Sequence, residues 1–186
     1  MNKESKHSFR EKYLILLRAQ SGPDRIKKSQ IISEKLFLTE EFKRAETILF
    51  YASFDGEVDT FEMMTQAKHS GKRIALPTII KDQKRIVPAL VPTLESDLEV
   101  GLYGIKQPKS SCRDISLDNI NLVIVPGIAF DSSNQRLGRG QGYYDRFLKE
   151  IPSRLPAVGL AFDFQIVPHF PFTEEHDMKV SRVICN

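Results

Sequence analysis

LVIV (Leu122–Val125), stopped by Pro126-Gly127 and followed by QRLGRGQGYYDRFL (Gln135–Leu148), is the stretch on which the fold turns. A short apolar run ended by Pro-Gly predicts a strand buried on both faces, as a parallel sheet requires. Similar runs lie on either side of it. TILFYA (Thr47–Ala52), RIALP (Arg73–Pro77) and AVGLAF (Ala157–Phe162) read as further strands. Ile86–Val91 carries Pro88 and reads as an edge strand. Met178–Ile184 is expected to close the sheet.

Helical periods fill the intervals. Residues from about Glu4 to Gln20 place Phe9, Tyr13, Leu16 and Leu17 on one face, widened by Leu14 and Ile15. Ser21-Gly22-Pro23 ends that helix and opens a second, with Ile26, Ile31, Ile32 and Leu36 as its apolar positions. Asp59 or Thr60 can cap a third, which Gly71 stops, and Tyr143–Glu150 forms the helix after the glycines. Residues 92–119 are loop-rich. Strands alternating with helices imply right-handed crossovers, so the expected fold is α/β, a three-layer α/β/α sandwich with a mostly parallel central sheet. No repeat, low-complexity tract or linker divides the chain, and residues 1–186 are read as one domain. Sites in such sheets lie beyond the carboxyl ends of the strands. Ser53–Glu57 and Asp131–Gly142 both follow strands and should share that rim.

Composition excludes several classes. The 186 residues are 41% hydrophobic and 27% charged, which suits a soluble globular protein. No apolar run approaches the ~20 residues of a membrane helix. MNKESKHSFREKY lacks an apolar signal core, so a cytoplasmic location away from membranes is expected. Cys112 and Cys185 make no disulfide framework and no C-x-x-C pair. The net charge of +3 is uneven, since residues 1–44 hold 11 Lys+Arg against 6 Asp+Glu. The acids are interspersed, no block of five like charges occurs and aromatic interleaving is absent. Nucleic acid is therefore not expected as a partner. His7, His69, His169 and His176 show no metal-ligand spacing. No heptad seam calls for a second subunit, and a monomer is expected.

The glycine segment carries the chemistry. Gly138, Gly140 and Gly142 alternate with other residues between Arg136, Arg139 and the helix start. Glycine permits φ > 0 and close approach to the backbone. Successive N–H groups leading into a helix N-terminus form a concave anion site. The arginines add positive charge, and Asp145 adds a carboxylate in the next turn. Phosphate with a metal ion answers both signs of charge, which points to an ATP-using enzyme. The spacing fits neither G-x-G-x-x-G nor a loop ending in Gly-Lys-Ser/Thr. A ligand-free structural turn accounts for the glycines alone, but not for the flanking Arg, Tyr-Tyr and Asp.

VPGIAFDSSNQRLGRGQGYYDRFL (Val125–Leu148) resembles the 5-formyltetrahydrofolate cyclo-ligase, or methenyltetrahydrofolate synthetase, family. Further motifs follow in order: Lys6-x-x-Phe9-Arg10, Gly56-Glu57-Val58-Asp59-Thr60, Gly71-Lys72-Arg73, Gly104-Ile105 with Pro108, Ala161-Phe162 with Gln165, and His176-Asp177. The resemblance implies ATP- and Mg²⁺-dependent conversion of 5-formyltetrahydrofolate to 5,10-methenyltetrahydrofolate, with phosphorylation of the formyl oxygen and attack by N10. It implies no protein nucleophile. By position, Arg136, Leu137, Gly138, Arg139, Gly140, Gln141, Gly142, Tyr143 and Tyr144 resemble the ATP-binding loop, with Lys6 to Arg10 closing over the nucleotide. Asp145 and Asp177 resemble the magnesium ligands, and Tyr51 and Glu57 the folate contacts. Many members have Gly where this chain has Asn134, and some have Lys or Gly at Gln141. Asn tolerates a left-handed turn, so the loop shape should survive.

Residue by residue, blander readings remain. Asp145 can serve the helix N-terminus, Asp177 can be a surface acid, Lys6 and Arg10 can be solvated charges, and Tyr51 can be core. For the chain, two other functions compete. One is a non-catalytic nucleotide- or RNA-binding module, which steep salt dependence would reveal. The other is a sugar-phosphate isomerase or acyl-CoA transferase, which would turn over without ATP.

Overall fold

A computed structural model describes residues 5–172 and 177–186. Glu4 and His176, both named from the sequence, lie outside the described residues. Six strands form the central sheet: β1 (Thr47–Leu49), β2 (Arg73–Ile80), β3 (Arg85–Leu90), β6 (Leu122–Val125), β9 (Ala157–Ala161) and β11 (Arg182–Cys185). Between β3 and β6 a small hairpin pairs β4 (Leu98–Val100) with β5 (Lys106–Pro108). The order in the main sheet is β11-β9-β6-β1-β2-β3, parallel throughout except for the β2–β3 hairpin. The three-layer α/β/α sandwich with a mostly parallel sheet is therefore borne out.

The period of two in β-strands explains why the central runs are apolar throughout. Leu122 and Ile124 enter one core, with Ile48, Ile74 and Leu76. Val123 and Val125 enter the other, with Leu49 and Ala75. The first core is covered by α1 (Lys6–Ala19), α2 (Gly22–Phe37), α3 (Glu40–Arg44) and α4 (Phe61–His69). The second is covered by α5 (Tyr143–Glu150) through Phe147 and Leu148.

Helix α1 buries Phe9, Tyr13 and Leu17, spaced four apart. Leu16 and Ile15 of the expected face are exposed instead, as is Ile26 on α2, because the strip facing the sheet is narrower than the apolar run. Side chains of Ser5, Ser21 and Thr39 accept from the N–H groups three residues on and start α1, α2 and α3. Asp59 Oδ1 accepts from Phe61 N, Thr60 precedes α4, and Gly71 follows it at φ 82. Pro88 and Pro77 face each other in the β2–β3 register, and β3 forms the sheet edge as its proline demands.

The sequence did not reveal a second sheet, in which β7 (Ala129–Asp131) pairs with β8 (Arg136–Leu137) and β10 (Ile166–Val167). Strands of two or three residues carry no readable period. The Asp131 carboxylate accepts from Ser133 N at 2.8 Å and Gln135 N at 3.0 Å, so the chain reverses between β7 and β8. Asn134 takes φ 62 in that turn, so the left-handed conformation is met without glycine. Gln165 ties the turn after β6 in place, donating to the Gly127 and Ile128 carbonyls at 2.8 and 3.0 Å.

Candidate active site

The rim at the strand ends holds two cavities, with the glycine segment between them. The first, about 620 Å³, is walled by Tyr51, Phe54, Pro77, Ile79, Leu102, Tyr103 and Ile105, and also by Glu57, Arg136 and Arg139. The second, about 600 Å³, draws Lys6, His7 and Arg10 from α1, Lys84 from the β2–β3 hairpin tip, and Arg146 and Lys149 from α5. Asp145 and Asp177 face the same space. Gly138, Gly140, Gln141 and Gly142 line both.

Each glycine seats an arginine. A Cβ on Gly138 would stand 2.7 Å from Arg136 Nη1, one on Gly142 would stand 2.8 Å from Arg146 Nη1, and one on Gly140 would stand 3.3 Å from Arg10 Cζ. Gly140 and Gly142 also take φ 93 and 69, which other residues rarely adopt. Arg10 Nε donates to the Gly138 carbonyl at 2.9 Å and Arg146 Nη2 to the Gln141 carbonyl at 2.8 Å. Arginines from three elements are thereby laid against one loop.

Charge in the first cavity centres on Glu57. Its carboxylate is buried, and Arg139 Nε and Nη2 both donate to Oε1 at 3.1 Å. Phe54 N donates to Oε2 at 3.3 Å. Burial pushes the Glu57 carboxyl up to about 7, against the opposing pull of Arg139. The Tyr51 hydroxyl donates to the Val58 carbonyl at 3.1 Å, and burial raises its pKa well above the ordinary range. Among the described residues the buried Tyr144 hydroxyl has no hydrogen-bond partner, and burial raises it as well. Near the second cavity, Arg136 Nη2 donates to Asp145 Oδ1 at 2.6 Å and Lys6 Nζ to Asp177 Oδ1 at 2.8 Å. Both carboxylates therefore stand among cations.

The family model for the 5-formyltetrahydrofolate cyclo-ligase family matches residues 2–186. The chain belongs to the 5-formyltetrahydrofolate cyclo-ligase family. It is 35% identical over 142 residues to the 5-formyltetrahydrofolate cyclo-ligase of Escherichia coli strain K12, covering 75% of this chain and 78% of that one. It is 30% identical over 192 residues to a probable 5-formyltetrahydrofolate cyclo-ligase of Caenorhabditis elegans, covering 98% and 93%. The solved structure of Aquifex aeolicus 5,10-methenyltetrahydrofolate synthetase aligns with a TM-score of 0.84 at 29% identity, covering 96% of this chain and 88% of that one. The cyclo-ligase family membership makes this chain an enzyme, a ligase. The non-catalytic module and the isomerase or transferase readings fall away. Among the described residues no helix is long and apolar enough to cross a membrane.

Against this family the residues named from the sequence sort into four groups. Lys6, Arg10 and Asp177 meet at the second cavity, and Tyr51, Glu57, Arg136, Arg139, Tyr143 and Tyr144 meet at the first. Asp145 borders both. Leu137 borders neither, because it is buried in the first core on β8. Sequence reasoning passed over Asp55, Arg18, Lys84, Arg146 and Lys149. Arg146 carried a signal, since it follows Asp145 by one residue at the start of α5. The others reach the site only through the tertiary fold.

Proposed function

We propose that this enzyme, as one domain, cyclises 5-formyltetrahydrofolate to 5,10-methenyltetrahydrofolate in a Mg²⁺-dependent reaction that consumes ATP. The observation that carries this reading is the pair of unlike cavities divided by the glycine loop. An aromatic and aliphatic cavity with one buried carboxylate suits a pterin ring and its N–H groups. A cavity lined by several cations and two carboxylates suits a triphosphate with its metal.

The residues fit magnesium. Among the described residues no group of three or more His, Cys, Asp or Glu is placed to hold a metal. Mg²⁺ usually takes only one or two carboxylates and completes its shell with substrate phosphates and water. Asp145 and Asp177 on one cavity match that demand. When bound, the ion neutralises charge on the phosphate oxygens.

The chain then acts by placement. Glu57 accepts hydrogen bonds from the folate N–H groups, and Tyr51 and Tyr144 complete the wall. The glycine loop presents backbone N–H groups to the phosphates, and Lys6 and Arg10 close over them. The formyl oxygen takes the γ-phosphoryl group from ATP, which leaves as ADP. N10 attacks the formyl carbon and gives up its proton to solvent, the carbon–oxygen bond breaks, and phosphate departs. Fixed donors at the loop stabilise charge as it develops, so no protein nucleophile is needed. Both cavities come from one chain, so a monomer in the cytoplasm with two small-molecule partners suffices, with neither nucleic acid nor membrane.

Mixing the protein with 5-formyltetrahydrofolate, ATP and Mg²⁺ should give the methenyl product's ultraviolet absorbance with one ADP per product. Turnover without nucleotide, or none by folded protein, would overturn the reading.

A further inference from the structure

Arg139 sits inside the glycine loop, yet its guanidinium points away from the second cavity and into the Phe54–Glu57 turn. Its Nε and Nη2 atoms reach Glu57 Oε1, its Nη1 reaches Asp55 Oδ2 at 2.8 Å, and its Cζ lies 4.0 Å from the Phe54 ring centroid. Asp55 is held in turn by Arg18 at the end of α1, whose Nε and Nη2 donate to Oδ1 and Oδ2, both at 2.8 Å. Four alternating charges therefore run from solvent inward: the Arg18 side chain is 57% exposed and that of Glu57 is 7% exposed. The backbone is built for this. Asp55 and Gly56 take successive left-handed conformations at φ 50 and 84. Gly56 also lies so close to the Leu17 carbonyl that no Cβ fits. The turn is thus pinned to α1 at the residue beside Arg18.

We propose that Asp55 and Arg18 are positioning residues for the ligand-facing carboxylate of Glu57, acting through the Arg139 guanidinium that Asp55 shares with it. This rests on the first cavity being the folate site. Arg139 divides its charge between two carboxylates, and Arg18 governs that division. Without Arg18, Asp55 leans on Arg139 alone and draws it from Glu57. Without the Asp55 charge, Arg139 belongs wholly to Glu57 and covers the lone pairs that a ligand N–H would use. Either change weakens folate binding, for opposite reasons.

The opposite reasons give opposite pH signatures. The groups facing Glu57 are Arg139 from the glycine loop, Asp55 and the Phe54 N–H from its own turn, and the phenols of Tyr51 and Tyr144. Burial keeps both phenols neutral. Arg139 favours the Glu57 carboxylate and Asp55 disfavours it. Asp55→Asn should therefore move the acid limb of folate binding to lower pH, and Arg18→Met should move it to higher pH. Asn tolerates the left-handed backbone, so the first variant keeps the turn.

The test is calorimetric titration of 5-formyltetrahydrofolate into the wild type, Arg18→Met, Asp55→Asn and Glu57→Gln from pH 5.5 to 8.5, with KM for ATP measured alongside. Losing a charged acceptor should weaken folate binding roughly 10–100-fold in Glu57→Gln. Arg18→Met and Asp55→Asn should weaken it roughly 2–5-fold, with KM for ATP unchanged. In the Glu57→Gln background Arg18→Met should add nothing, because the two act as a unit. A full extra effect there would mean that Arg18, which also borders the cavity, touches the ligand itself, and would overturn the proposal. Acid limbs that move together, or not at all, would overturn it too. If Glu57→Gln binds folate like the wild type, the folate reading of the cavity has failed and this inference falls with it. If Glu57→Gln weakens binding while the other two variants match the wild type, only this inference fails.

Discussion

The two cavities share Gly138, Gly140, Gln141, Gly142 and Asp145 and are otherwise built on different plans. The first is a gap between aromatic and aliphatic walls, and its carboxylate is buried and held partly against its own ionisation. The second is a basin whose cations come from helices and a hairpin tip. The contrast teaches that the glycine loop is a partition as much as a phosphate cradle. Arg139 leaves it toward one side, and Arg10 and Arg146 come up against it from elsewhere.

The largest effect should come from Asp145, which borders both cavities. Asp145→Asn keeps a carbonyl oxygen for the Arg136 guanidinium, so the fold should hold. An amide is a far poorer ligand for a hard cation. The Mg²⁺-dependent rate should fall about 100–1000-fold, the scale of losing one charge-stabilising contact in a reacting site. Folate affinity measured without nucleotide should stay near that of the wild type. If affinity falls in step with rate, the two cavities do not separate at this residue.

Gly140 should give a smaller effect, confined to the basin. From the sequence alone, the case for its being glycine is room for phosphate. The structure adds Arg10, which a Cβ would crowd, and a φ of 93 that costs an L-residue about 1–2 kcal/mol. Gly140→Ala should raise KM for ATP several-fold, on the order of one shifted charge-assisted contact. Folate affinity should hold. Kinetics for both substrates, set beside a melting curve, would check it; a folded variant with unchanged ATP dependence would return this glycine to a plain turn.

How much of this was legible follows from the range of the forces. The buried strand LVIV and the helix Tyr143–Glu150 were readable because burial pattern and glycine stop are local signals, and the helix has the expected bounds. Thr47–Ala52 was half readable. All six residues are buried, but the strand spans only Thr47–Leu49; Phe50 N still donates to the Ala75 carbonyl, and Tyr51 and Ala52 line the first cavity. The apolar wall was not readable. Pro77 and Ile79 come from the far end of β2, and Leu102, Tyr103 and Ile105 come from the β4–β5 hairpin, which was read as loop. Nor could the sequence tell that Arg139 and Arg10, both expected at ATP, point to opposite sides of the partition.

The last effect is on stability alone, with no ligand present, and it tests whether the buried acid belongs to the first cavity's function and not to its packing. In the unfolded chain Glu57 ionises with the ordinary value of 4.5, whereas in the fold it holds its proton to about 7. A raised folded value means that the native state binds the extra proton through that window. Glu57 therefore contributes stability below about 4.5 that is lost as pH rises through about 7. Asp55, lowered to about 2 by Arg18 and Arg139, titrates in the opposite sense and in a lower window, between 3.8 and 2. The two do not overlap. Glu57→Gln removes the titration and leaves a neutral side chain of similar shape. At pH 5 the variant and the wild type should melt close together, since both are then largely uncharged at this position. By pH 8 the variant should be the more stable by roughly 2–3 kcal/mol, one pKa unit being worth about 1.4 kcal/mol. For a chain of this length that is a rise of roughly 4–10 °C relative to the wild type. Paired melting curves of the ligand-free proteins across pH 5–8 measure it directly. A variant that gains stability while losing folate affinity shows an acid kept at a cost for its ligand. Curves that stay parallel would mean that Arg139 fully compensates the buried charge, and the two cavities would then differ in shape but not in how they hold their carboxylates.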